Sequence, residues 1–181
     1  MKLKLLLLVL ALQCAWIACT VVTQERALSY GHIILLETRR VDPRDLLRGD
    51  YLILDYPISD VPANLFSPPV KKDLPYGTKI FVALAGGTNH FYRVSRASTN
   101  ELAAGIGEVL ILGTSDGQRW NASNAVHVVY GIEKYFVAEG QGNPTGKLTV
   151  QAVVPASGRV KIKEVFVDGQ PYAVAMKGAG R

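Results

Sequence analysis

Beyond residue 19 the sequence contains no cysteine; Cys14 and Cys19 are its only two, and both lie in the N-terminal apolar run. Five residues apart on a helix, they point about 140° away from each other, which excludes a disulfide between them. The rest of the chain therefore has no thiolate metal site and no thiol nucleophile, and its roughly 155 residues must hold their fold by packing alone. Charge is sparse as well, at 19% of residues, while 49% are apolar, a balance that excludes intrinsic disorder. Basic residues occur at most in pairs such as Arg39-Arg40 and Lys71-Lys72. With Lys2 and Lys4 set aside, 18 basic groups face 15 acidic ones, too dispersed for a nucleic-acid face.

Chemical motifs are missing too. The three histidines, His32, His90 and His127, have no partner at ligand spacing. There is no G-x-S-x-G, no phosphate loop, no GxGxxG after a strand and no Ser-x-x-Lys. No metal, no cofactor and no nucleic acid is expected, and an enzyme is less expected than a binding protein. Arg48-Gly49-Asp50 spells an adhesion tripeptide and Asn121-Ala122-Ser123 a glycosylation acceptor, both read as incidental.

What is present begins at the N-terminus. Leu5 to Val22 is an uncharged run interrupted only by Gln13 and Thr20. As a helix it spans about 27 Å, close to the hydrocarbon thickness of a bilayer. Lys2 and Lys4 ahead of it favour an N-terminus kept in the cytoplasm, with the remainder across the membrane. Two other fates compete with an uncleaved anchor. A cleavable signal needs a small-x-small site, and Trp16 fits poorly ahead of Cys19. Lipidation at Cys19 would use Ile17-Ala18-Cys19, against which Trp16 again counts. Thr23–Ser29 extends the anchor until Gly31 ends it. The small side chains Ala15, Ala18 and Cys19 would admit a second helix closely, with Gln13 able to hydrogen-bond across.

After residue 30 no sustained 3.6-residue periodicity appears. Short apolar runs separated by turn residues predict strands at 32–38, 50–58, 79–84, 90–95, 108–114, 125–137, 147–154, 159–167 and 172–176. Gly86–Asn89 and Asp168-Gly169 are hairpin turns. Val41–Gly49 reads as a one-turn helix capped by Asp42, Asn100–Ala104 as a helical turn, and Pro57–Pro75 as a long irregular loop. The expected fold is mainly β: an antiparallel β-sandwich or barrel-like domain over residues 31–181, preceded by one N-terminal transmembrane α-helix within residues 1–30.

Arg48–Tyr56, RGDYLILDY, contains Gly-Asp-Tyr-x-x-Leu-x-Tyr. With the preceding VDPRDLL, the later YGIEKYFVAEGQG (Tyr130–Gly142) and the closing Val160–Gly169, it resembles the GDYXXLXY family from about Gly31 to Tyr172. That resemblance implies a bacterial protein with an N-terminal hydrophobic helix and a β-rich periplasmic domain. It also implies a multi-pass inner-membrane protein as partner, and it supplies no catalytic residue.

The motif itself has two readings. Alternation from Asp50 turns Tyr51 and Ile53 to one side and Leu52, Leu54 and Tyr56 to the other, a turn-plus-strand staple. The second reading places Asp50, Tyr51 and Tyr56 at the mouth of a groove whose other side is Glu133, Tyr135, Glu139 and Gln141. Alternation there would set Glu133, Tyr135 and Val137 on one face, opposite Ile132, Lys134 and Phe136. Such a groove would suit an envelope hydrolase, or a module that binds saccharide or peptidoglycan.

Overall fold

A computed structural model describes residues 2–39, 51–70, 74–117, 124–137, 144 and 146–179. It is mainly β, with antiparallel sheets and one long N-terminal helix. That helix, α1 (Lys2–Tyr30), has 29 residues, about 43 Å at 1.5 Å each. Its side chains from Leu5 to Val22 are all exposed, so the body buries none of its apolar run. Such a helix is long and apolar enough to cross a membrane. Gly31 bends the chain, and β1 (His32–Glu37) starts at the next residue.

Among the described residues ten further strands follow: β2 (Tyr51–Ile53), β3 (Asp60–Pro62), β4 (Lys79–Gly86), β5 (Tyr92–Ser98), β6 (Glu108–Ser115), β7 (Ala125–Val129), β8 (Lys134–Phe136), β9 (Leu148–Val154), β10 (Lys161–Val167) and β11 (Gln170–Pro171). The helix α2 (Tyr172–Ala179) comes last. The strands form a four-stranded sheet β1-β9-β10-β11, a five-stranded sheet β3-β7-β6-β4-β5 and a two-stranded ribbon β2-β8. All three bury their apolar faces in one core: Ile34, Leu36, Val150, Ala152 and Val165 from the first, Val61, Ile80, Val82, Leu84, Ile111 and Val128 from the second, and Leu52 from the ribbon. The Leu112 N–H donates to the Gly158 carbonyl at 2.8 Å, tying β6 to the turn between β9 and β10.

Period-two patterning accounts for most of the core. In β9, Val150, Ala152 and Val154 point inward as expected, and β1 meets them in register, Leu36 opposite Val150 and Ile34 opposite Ala152. β10 needs a device. Val160 and Ile162 lie on even positions and Val165 and Val167 on odd ones, so one alternation cannot bury all four. A β-bulge between Ile162 and Glu164 inserts one unpaired residue, Lys163, and resets the phase.

Four expectations change. The strand expected over 50–58 pairs only at Tyr51–Ile53. Asp55 makes a single bridge to Arg39, and Pro57, lacking an N–H, opens a 3-10 turn. The run 125–137 splits because Gly131 takes φ +84, a conformation that breaks a strand and favours glycine. Asn100–Ala104 is not helical. Its neighbouring backbone groups bond to side chains instead: Arg96 donates to the Ala103 carbonyl and Gly105 N–H donates to Glu108. The closing strand expected at 172–176 is helix α2, which puts Tyr172, Ala175 and Met176 on one face against the core at i, i+3, i+4 spacing. Pro171 precedes it, and Ala, Met and Lys favour a helix. Of the loop expected at Pro57–Pro75, the described residues 57–70 carry β3, two 3-10 turns and a bridge from Phe66 to Ala97. The one-turn helix expected at 41–49 lies outside the described residues.

Candidate functional site

The two motif blocks meet in space. β2 and β8 pair antiparallel with Tyr51 opposite Phe136, Leu52 opposite Tyr135 and Ile53 opposite Lys134. As alternation requires, Leu52, Leu54 and Tyr56 are buried while Tyr51 and Ile53 face outward. Just past the ribbon the segments lock reciprocally. The Tyr56 hydroxyl donates to the Ile132 carbonyl at 2.9 Å, and the Tyr130 hydroxyl donates to the Ile58 carbonyl at 2.8 Å. Each block thus sends one buried phenol into the other's backbone. Burial, with the nearby Glu133 charge, pushes both phenols well above their ordinary range, so both stay protonated donors.

Glu133 completes the clamp. Its carboxylate accepts from the Tyr130 N–H at 2.6 Å and the Gly131 N–H at 2.9 Å, and its carbonyl accepts from Leu54 N–H at 2.8 Å. Both carboxyl oxygens are spent on backbone, an arrangement that fixes a turn. Glu133 therefore sits in that turn, outside the strand β8, and Ile132 is buried, so the alternation expected across 132–137 holds only for Lys134, Tyr135 and Phe136. Tyr135 is half-buried, edge-on to Tyr172 with ring centroids 5.8 Å apart, and burial raises its phenol. Tyr51 lies 6.1 Å from the Phe136 ring, with Lys134 Nζ 5.1 Å above its centroid. Asp50, Glu139 and Gln141 lie outside the described residues. An open depression beside the ribbon, about 430 Å³, is lined by Tyr135 and Phe136 on one side and Lys161 and Ile162 on the other.

Two polar clusters escape local sequence reading. In the first, Asp60 faces His127 across the β3–β7 pair. His127 Nδ1 donates to Asp60 Oδ1 at 3.0 Å, Arg39 Nη1 donates to Asp60 Oδ2 at 2.5 Å, and Asp55 lies 3.6 Å from the same guanidinium. Burial pushes the Asp60 carboxyl up, but the His127 and Arg39 hydrogen bonds outweigh it and hold the group below its usual value. The only signal would have been cross-strand register, which one sequence does not reveal.

In the second cluster Glu108 accepts from Arg96 Nη2 (2.7 Å) and Nε (3.1 Å), Ser95 Oγ (2.6 Å) and Gly105 N–H (2.8 Å). These donors, Arg96 foremost, bring its carboxyl down to about 2. A folded-state value below the unfolded one stabilises above pH 4.5, and this contribution is lost as pH falls through that value toward 2. We expect thermal unfolding scanned over pH to show a shallower acid decline for Glu108→Gln than for the parent chain, with Asp60 contributing to the slope that remains. An unchanged decline would contradict this assignment. Glu108 also borders a second depression, about 540 Å³, with His32, Tyr92 and Gly107; there His32 Nε2 and the Tyr92 hydroxyl share a hydrogen bond of 3.1 Å.

Among the described residues, no group of three or more His, Cys, Asp or Glu is placed to hold a metal ion. A family model described as GDYXXLXY protein matches residues 13–170, taking in the second half of α1, both motif blocks and the strands between them. No curated protein and no solved structure gives a significant match.

Proposed function

This chain belongs to the GDYXXLXY family, and from that premise we propose that it is a single-pass, membrane-anchored accessory protein that works by binding a multi-pass inner-membrane protein. Its β-rich domain then lies on the periplasmic side. The observation that carries this reading is α1: its run from Leu5 to Val22 is uncharged and exposed throughout, and only its last turns meet the body, where Lys161 Nζ donates to the Gln24 side chain. Such a connection confines the domain to a shell next to the bilayer, which suits a companion of a membrane protein better than a diffusing catalyst. Lys2 and Lys4 support the orientation. Binding is favoured over catalysis by Glu133, whose carboxylate is committed to the backbone of its own turn.

The test is affinity purification of the full chain from gently solubilised membranes. We expect one multi-pass protein to co-elute in near-stoichiometric amount, and to be lost when residues 2–22 are replaced by an unrelated spanning helix. Failure to recover any such protein in several detergents would contradict the partnership. The envelope-hydrolase or saccharide-binding reading keeps Asp50, Glu139 and Gln141 as its candidates; turnover or binding of peptidoglycan fragments by the full chain would favour it instead.

A further inference from the structure

We infer that the loop Leu102–Gly107 is a second membrane contact, its tip Ile106 seated in the headgroup layer of the bilayer that α1 crosses. This rests on the anchored reading above.

The loop reads Leu-Ala-Ala-Gly-Ile-Gly, without a polar or charged side chain. All but Leu102 are exposed, and Ile106 reaches 107% relative exposure. A lone exposed apolar residue is ordinary and decides nothing. Its position decides more. Gly107, next to Ile106, lines the same depression as His32, and His32 follows the last residue of α1 by only two positions. The tip thus lies at the end of the body from which the anchor leaves. The opposite end of β4 and β6, where Lys79 pairs with Thr114, is about 20 Å away along the strands.

Length sets the depth. The uncharged run to Val22 fills the hydrocarbon layer, and Thr23–Tyr30 adds about 12 Å, enough to clear a headgroup layer of roughly 5–8 Å. The end of the body that carries Ile106 therefore stands at the headgroup surface. Tyr30, 88% exposed at the same end, is of the type enriched at that boundary.

The loop is also held in shape. Arg96 donates to the Ala103 carbonyl at 2.8 Å, Glu108 accepts from Gly105 N–H, and Glu108 N–H donates to the Gly105 carbonyl at 3.1 Å. An ion pair thus braces the base while only apolar groups occupy the tip. One isoleucine and two alanines bury too little surface to anchor a protein. With α1 as the first contact, the loop fixes how the body stands on the bilayer.

The test uses the full chain in phosphatidylcholine nanodiscs containing no partner protein. A fluorophore sensitive to polarity is placed on Ala104→Cys, or on Tyr76→Cys as the distant control, each with Cys14→Ser and Cys19→Ser. A third protein keeps Cys14 as its only cysteine. Lipids bearing a nitroxide near the headgroup should quench the label at 104 about two-fold and leave the one at 76 unchanged, and adding Ile106→Asp should abolish the quenching. A solvent-like label at 104 while the Cys14 label is quenched by a deep nitroxide would overturn the inference and leave the anchor standing; it is also the outcome expected if the tip meets a protein instead. An unquenched Cys14 label would instead mean that the anchored reading itself had failed, and the inference with it.

Discussion

Replacing Tyr56 with alanine should strongly destabilise the β-domain, lowering its Tm by about 10 °C or more. Its side chain is fully buried and ranks among the largest enclosed groups in the core. Deleting a buried aromatic ring costs about 3–5 kcal/mol, and here the Ile132 carbonyl also loses its donor. Against a domain stability of about 5–15 kcal/mol, that is between a fifth and the whole of the total. Tyr56→Phe separates the two contributions. It keeps the ring and strands one buried carbonyl, for about 1–2 kcal/mol, or a Tm lower by about 3–6 °C in a domain of this size. Tyr130→Phe, which strands the Ile58 carbonyl, should behave alike. Because both bonds hold the same pair of segments, the double variant should depart from additivity. Tyr51→Ala, on the outer face of the ribbon, should cost much less. A Tyr56→Ala chain melting within a few degrees of the parent would contradict the clamp.

The second large effect concerns α1. Arginine at Leu10 and Leu12, near the middle of the uncharged run, exchanges two favourable insertion contributions for two unfavourable ones, about 3–4 kcal/mol each. Together they shift partitioning by several powers of ten, far more than a single apolar loop restores. Membrane fractionation should find the doubly substituted chain in the soluble or degraded fraction. Leucine-to-alanine changes at the same positions should leave it in the membrane. Equal membrane recovery of the arginine variant would mean that something other than α1 holds the protein there.

Much of the fold could be read from local pattern. The run from Leu5 to Val22 reads as a helix long and apolar enough to cross a membrane, as the structure has it, and the alternation of Val150, Ala152 and Val154 places β9. The inward set Leu52, Leu54 and Tyr56 followed from the same rule. Pattern failed where contacts distant in sequence decided the matter. The Tyr172–Met176 stretch alternates tolerably as a strand, yet as a helix it docks Tyr172 on Tyr135, a contact no local rule contains. The long strand expected at 125–137 ignored Gly131, whose positive φ Glu133 stabilises from two residues away.

The site was legible as composition and not as geometry. Residue type marks Tyr51, Tyr56, Glu133 and Tyr135 as candidates for groove walls, and the pairing of β2 with β8 sets their two segments side by side without making a groove of them. What residue types could not say is where each group points: Tyr56 and Glu133 turn onto backbone, Tyr51 outward. The Asp60–His127–Arg39 cluster joins three elements far apart in the chain and leaves no local trace.

The central claim is that α1 stays attached and crosses a bilayer. Intact-mass and N-terminal analysis of the natural protein, recovered from membranes after an alkaline carbonate wash, tests it most directly. We expect the washed pellet to hold a chain that keeps Lys2–Val22 and carries no lipid on Cys19. A chain beginning at a lipidated Cys19 would replace the spanning helix with an acyl anchor, and one beginning beyond residue 25 in the soluble fraction would contradict the tether altogether.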